Sequence, residues 1–225
     1  MPDRLDQILD AAVAIADERG LDAVSMRSVA ERVGVTPMAL YPYVGNKAAL
    51  LDGMVGRLLG GMWPAEAAPR ADELARLDWR HRLAAIGRAG RAIGRQHPWA
   101  ASLVFARPAV SPDSVRAIDL IYGALLEAGV PPAEVPRLER LLGTVVFGFA
   151  ASEAGGRFGP AETNPRGTRG LLPEGPLPGH AALAEVLSAP ADWDAEFEAD
   201  LADLGEIIEA TARRAATISD NPRSE

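Results

Sequence analysis

The sequence contains no cysteine, which excludes disulfides, thiolate metal sites and cysteine nucleophiles. Its three histidines, His81, His97 and His180, lie far apart, so no pair has the spacing of a metal-binding helix. No Gly-x-x-x-x-Gly-Lys loop is present to cradle a nucleotide phosphate, and Ser102, Ser111 and Ser152 have neither a glycine elbow nor an evident base. These absences predict a protein that is not an enzyme and takes no metal or cofactor. The most apolar stretch, Leu141 to Ala151, falls well short of the roughly 20 residues a membrane helix needs. The opening, Met1 to Asp6, carries acids where a leader would carry bases, and no apolar segment follows. The expectation is a soluble, cytoplasmic chain with no membrane partner.

Positive charge is also scarce. The formal net charge is −8, and the first 57 residues hold six bases against eight acids. An acidic protein repels phosphate at long range, so any nucleic-acid binding must come from where the bases sit. With 48% hydrophobic and 24% charged residues, the chain can bury a core and does not have a disordered composition.

Helical periodicity dominates and no strand alternation is evident, which predicts an all-α fold. Leu5, Ile8, Leu9, Ala12, Val13 and Ala16 mark one face of a first helix stopped by Gly20. Ser25 can cap a second, ended by Gly34. Thr36-Pro37 opens a third, with threonine as cap and proline at the first position. Asn46 can cap a fourth, closed by Pro64. A Pro/Ala-rich connection over 64–71 precedes a long helix expected over about 72–96. Shorter helical stretches follow around 99–105, 112–128 and 133–154. The Gly/Pro-dense stretch 155–179 reads as a mobile loop. A last helical region covers about 181–218, broken near Pro190.

The second and third helices are joined by Val33-Gly34-Val35-Thr36. Two short helices with a tight glycine turn fit a helix-turn-helix at about 25–44. They equally fit a plain three-helix bundle. In the first reading Leu40 and Val44 anchor the third helix, and Met38, Ala39, Tyr41, Pro42 and Tyr43 are left for the major groove.

Residues 25–52, SMRSVAERVGVTPMALYPYVGNKAALLD, resemble the DNA-binding domain of the TetR family of repressors. The resemblance rests on the Ala-Glu-x-x-Gly-Val turn, Leu40-Tyr41, the aromatic Tyr43, and Lys47 at the start of the fourth helix. It is strongest over residues 5–60 and continues more weakly through His97-Pro98-Trp99 and the helices after Pro112. It implies a DNA-binding domain at 1–62 and a helical effector-binding and dimerisation domain at 63–219. It also implies a homodimer on a palindromic double-stranded DNA operator, released by a small-molecule effector. Residue by residue, Arg27 and Ser28 match the leading end of the second helix, where an arginine suits a guanine edge. Thr36, Pro37, Met38 and Ala39 match the leading end of the recognition helix. Tyr41 and Tyr43 match phosphate-binding hydroxyls, and Lys47 matches a phosphate-binding lysine at a helix N-terminus. Binding is expected to fall steeply with added salt. Pro42 departs from the family pattern, because proline lacks an N–H and is expected to end or tighten the helix. The acidic balance and Pro42 keep open the alternative of a helical scaffolding protein without DNA affinity.

In the second half, Trp79, Trp99, Phe105, Tyr122, Phe147 and Phe149 fall on the middle helices. They are core aromatics or the lining of an effector pocket. Trp99, Phe105, Tyr122 and Phe147, with His97 and Arg107, are the candidate ligand contacts, and Glu153 is a further polar candidate. The few charges there favour a mostly apolar effector. Leu138, Leu141, Leu142, Val145, Val146, Phe149, Phe197, Leu201, Leu204 and Ile208 form an apolar stripe on the last two long helices and are the candidate dimer interface.

Overall fold

A computed structural model describes residues 3–61, 73–74, 76–159 and 177–219. The expected connection at 64–71 and most of the expected mobile loop, 160–176, lie outside the described residues. Every regular element among the described residues is helical. None of those helices is long and apolar enough to cross a membrane.

The N-terminal elements are α1 (Arg4–Arg19), a 3₁₀ turn (Leu21–Ala23), α2 (Met26–Val33), a second 3₁₀ turn (Pro37–Leu40), α3 (Tyr41–Val44) and α4 (Lys47–Gly61). Local chemistry sets their ends. Ser25 and Ser28 form a reciprocal capping box: the Ser28 amide donates to Ser25 Oγ at 3.0 Å, and the Ser25 amide to Ser28 Oγ at 2.9 Å. Gly34 ends α2 in the left-handed region, at φ 75°, which a side chain would strain. Asn46 Oδ1 accepts from the Ala49 amide at 2.9 Å and caps α4.

Thr36 was expected to cap the third helix, but its side chain makes no capping hydrogen bond. Thr36 still holds the N-cap position, and Pro37 starts the element as expected. The element does tighten, but ahead of Pro42 and not at it: residues 37–40 are 3₁₀ and 41–44 are α-helical. Pro42 lies in the first turn of that α segment, where its missing N–H has no helical partner to lose.

The C-terminal elements are α5 (Trp79–Gln96), α6 (Ala100–Ala106), α7 (Pro112–Glu127), α8 (Val135–Ala154), α9 (Pro178–Ala182), α10 (Ala184–Ser188) and α11 (Trp193–Ser219). The helix expected from residue 72 is interrupted: residues 73, 74 and 76 are helical, the chain bends at 77–78, and α5 starts at Trp79. Asp78 caps it by accepting from the Arg80 and His81 amides at 3.0 and 3.1 Å. Arg82 ties the preceding turn to it, donating to the carbonyls of Leu74 and Leu77.

Two cores hold these helices. The first joins Ile8, Ala12 and Ile15 of α1, Val29 and Ala30 of α2, Leu40, Val44, and Leu50, Met54 and Leu58 of α4. It continues without a break into Ile93, Ala100, Leu103, Ala117 and Phe147, so α4 is packed as much against the C-terminal helices as against its own. The second joins α5, α7, α8 and α11 through Leu83, Ile86, Leu125, Leu138, Leu142, Val146, Phe197, Leu201, Leu204 and Ile208.

Small residues let α5 approach closely. A Cβ on Gly87 would stand 2.6 Å from Leu201 Cδ2, one on Gly90 2.7 Å from Val146 Cγ1, and one on Gly94 would collide with Ala150. The glycines of α4 serve the same purpose: Gly53 faces Leu9, Gly56 faces Ser111 and Gly60 faces Asp113. They set packing distance at the junction of α4 with α1 and α7.

Candidate nucleic-acid interface and effector domain

The first core fixes the third element by its two inward residues, Leu40 and Val44, which are 0% and 6% exposed. What remains outward is a contiguous surface of Thr36, Pro37, Met38, Ala39, Tyr41, Pro42 and Tyr43. Met38 is 74% exposed, Tyr41 45% and Tyr43 49%. Large apolar side chains left in solvent on a rigid scaffold mark a contact surface. Arg27 and Lys47 are also exposed, and neither makes an ion pair among the described residues. Ser28 differs: it is half-buried, and its hydroxyl also donates to the Ala23 carbonyl at 2.8 Å, so it is committed to the capping box.

Two other N-terminal arginines, Arg32 and Arg57, are neutralised. Arg32 meets Glu18 through two nitrogens, and Arg57 meets Asp10 through two nitrogens, with Asp6 nearby. The hydrogen bond from Arg32, against a smaller desolvation effect, holds the Glu18 carboxyl below its ordinary value. The hydrogen bond to Asp10 raises the Arg57 guanidinium. Arg27 and Lys47 are thus left without ion pairs at the starts of α2 and α4, among the described residues.

Three of the six expected ligand contacts turn toward the N-terminal elements. Asp17 Oδ1 on α1 accepts from Trp99 Nε1 at 2.7 Å and lies 2.7 Å from His97 Nδ1. Arg107 reaches α4, donating through Nε to Asp52 at 2.8 Å and through Nη2 to the Ala48 carbonyl at 3.1 Å. The hydrogen bond to Asp52 raises the Arg107 guanidinium above its ordinary value. Phe147 is buried in the first core and meets the half-exposed Phe105 edge-on, at 6.3 Å between centroids. Tyr122 packs on the second core.

None of the six lines the cleft of about 700 Å³ bounded by Arg95, Glu153, Pro190, Ala191, Asp192, Trp193 and Asp194. Beside that cleft stands a cluster that sequence reasoning missed except for Phe149 and Glu153. The Arg91 guanidinium lies 4.8 Å from the Phe149 ring centroid and 4.7 Å from that of Phe197. It donates to Glu153 through two nitrogens, at 3.0 and 2.9 Å, and pairs with Asp194 at 2.8 Å. Arg95 joins the same two carboxylates. Phe158 stacks on Trp193 at 4.4 Å and tilts against Phe149 at 4.8 Å. The one local signal was Arg91 and Arg95 at i, i+4 on one helix; their carboxylate partners are 58 to 103 residues away in the chain.

Burial raises the Glu153 carboxyl, but the hydrogen bonds and charges of Arg91 and Arg95 outweigh it and hold it below its ordinary 4.5. A depressed carboxyl contributes stability above 4.5, and this is lost as pH falls through the folded value. Glu153→Gln is therefore expected to cost about 2 kcal/mol at neutral pH, because Arg91, only 7% exposed, keeps Asp194 alone with Arg95 as neighbour. The variant should also show a flatter loss of stability below pH 4.5. Denaturant melts at pH 7 and pH 3.5 read both effects.

The geometry so far defines a helix-turn-helix DNA-binding protein with an all-helical second domain. The comparisons agree. Residues 8–54 match the family described as "Bacterial regulatory proteins, tetR family". Residues 83–168 match "Tetracyclin repressor-like, C-terminal domain". An HTH-type transcriptional regulator of Saccharopolyspora erythraea is 30% identical over 198 residues, covering 86% of this chain and 79% of that one. The transcriptional repressor DrrR1 of Streptomyces coeruleorubidus is 33% identical over 149 residues, covering 66% of this chain and 53% of its own, so the match spans about half of DrrR1. Apo ActR of Streptomyces coelicolor superposes with a TM-score of 0.74 at 24% identity, over 96% of this chain and 99% of ActR. ActR has also been solved with actinorhodin, at a TM-score of 0.72; at this identity the likeness carries the fold alone. The chain belongs to the TetR family of transcriptional regulators.

Proposed function

We propose that this protein is a ligand-responsive repressor that binds a palindromic operator as a homodimer and leaves it when a small, mostly apolar effector binds. The observation that carries the reading is the outward surface of residues 36–43, held by Leu40 and Val44, with Arg27 and Lys47 exposed and without ion pairs among the described residues at the starts of α2 and α4. Arg27 reaches a base edge or phosphate, Tyr41 and Tyr43 donate to phosphates, and Lys47 meets a phosphate at the N-terminus of α4. Ser28 supports Arg27 by capping α2.

For the effector, we propose that Phe105, Tyr122 and Phe147 supply apolar contacts while His97, Trp99 and Arg107 carry the signal. An effector that displaces α6 pulls on Arg107 and hence on Asp52 of α4. It also disturbs the hold of His97 and Trp99 on Asp17. A ligand shifts the reading heads only by its differential affinity for the two arrangements. The cleft at Trp193 is a second location for an effector, one whose polar group would meet the charges of Arg95, Glu153, Asp192 and Asp194.

The test is a binding assay on DNA upstream of the protein's own gene. Lys47→Ala and Tyr43→Phe are expected to weaken all sequences alike, and Arg27→Ala to reduce discrimination as well. Wild-type affinity in Lys47→Ala at moderate salt would remove α4 from the DNA backbone. Quenching of Trp99, measured in a variant keeping only that tryptophan, then screens apolar compounds, with operator release as the functional readout.

A further inference from the structure

The surface of residues 36–43 has an unusual inventory for a base-reading element. It exposes Thr36, Pro37, Met38, Ala39, Tyr41, Pro42 and Tyr43, and no amide, guanidinium, ammonium or carboxylate is among them. Each base offers its own group in the major groove. Guanine is read by arginine or lysine, adenine by asparagine or glutamine, and cytosine by a carboxylate; thymine adds the one methyl group. The hydroxyls of Thr36, Tyr41 and Tyr43 serve several bases or a phosphate and so discriminate little. The only base-specific partner this surface can select is therefore the thymine methyl.

Met38 is the strongest candidate for that contact. At 74% exposure it is the most exposed large apolar side chain among the described residues, so the folded protein makes little use of it. Its unbranched thioether adapts to an irregular apolar surface. Ala39 follows it, Pro42 lies four residues on, about one turn away, and both are exposed.

Resting on the DNA-binding reading above, we infer that the recognition element reads its operator through the 5-methyl groups of thymine, with Met38 as the principal contact and Pro42 and Ala39 beside it. Guanine discrimination is then left to Arg27 on α2.

The experiment selects duplexes from a random pool with the full-length protein, then compares the enriched duplex with the same duplex carrying deoxyuridine for thymidine. Uracil keeps every hydrogen-bonding group and lacks only the methyl. Binding is expected to weaken about fourfold for each contacted methyl removed, the effect of leaving one methylene-sized group unburied. Met38→Ala should weaken the thymine duplex to a similar degree and lose most of its sensitivity to uracil, as coupled partners do in a double-mutant cycle. Because Met38 is exposed, its removal leaves the fold intact, which the melting temperature checks. Equal binding of thymine and uracil duplexes overturns the inference while leaving DNA binding in place. Unchanged uracil sensitivity in Met38→Ala overturns the assignment to Met38. If no duplex is enriched over random DNA, the DNA-binding reading itself fails, and the inference with it.

Discussion

Ile208→Glu is expected to unfold the subunit, whereas Ile207→Glu is expected to leave it folded and split a dimer. The two residues are neighbours on α11, but Ile208 is 3% exposed and Ile207 42%. Ile208 belongs to the second core with Leu138, Leu142, Val146, Phe197, Leu201 and Leu204. A glutamate there forfeits the burial of an isoleucine and places a carboxyl without a partner among aliphatic groups. Together these cost at least about 4 kcal/mol, a large part of a typical domain's total. Most of the apolar stripe that the sequence offered as a dimer interface is thus spent inside the subunit; Leu141, Val145 and Phe149 are only partly buried. The face left for a partner includes Ile207 and the open backbone at Gly143 and Gly148 of α8. Surface changes such as Ile207→Glu shift monomer stability by about 0.5 kcal/mol or less. Circular dichroism with light scattering separates the outcomes. A folded Ile208→Glu chain would contradict the core assignment, and an Ile207→Glu chain of dimer mass would exclude Ile207 from the interface.

Operator affinity is expected to fall about 10²-fold between 50 and 200 mM salt, not the 10³- to 10⁵-fold typical of proteins with many phosphate contacts. The sequence alone suggested a steep dependence, because phosphate contacts dominate affinity. The structure pairs Arg32 with Glu18, Arg57 with Asp10 and Arg107 with Asp52. Arg27 and Lys47 are the unpaired cations proposed to meet DNA, two per subunit and four per proposed dimer. Four displaced counterions give a slope near −3.6 in log affinity against log salt, from about 0.9 for each phosphate neutralised. Tyrosine hydroxyls and backbone amides add contacts without adding slope. A titration of affinity against salt measures it directly. A slope near −8 would mean that the ion pairs open on DNA, and Asp10→Asn would then raise affinity by freeing Arg57.

Much of the N-terminal architecture was legible because it is local. Glycine stops, serine and asparagine caps and a 3.6-residue apolar period act within a few residues, so α1, α2 and α4 appear in the sequence close to their observed bounds. Where two local rules met, sequence reading was less sure. Thr36 holds the cap position without a side-chain bond, and Pro42, expected to end or tighten the helix, falls where its missing N–H is harmless. The start of α5 moved for a similar reason. Helical propensity continues upstream, but Asp78 satisfies the first amides and fixes the end.

The sequence by itself determined the helical class, the helix-turn-helix, the residues that face outward on its third element, and the family. The first three depend on spacing within one or two turns, and the family on the resemblance carried by residues 25–52. Only the tertiary structure decided what the C-terminal polar and aromatic residues do. His97 and Trp99 meet Asp17, 80 and 82 residues away. Arg107 meets Asp52, 55 residues away, and Arg91 meets Glu153, 62 residues away. The same applies to which side of α11 is core. An apolar stripe states that a face is buried but not against what, since burial within a subunit and burial between subunits remove the same apolar surface from water.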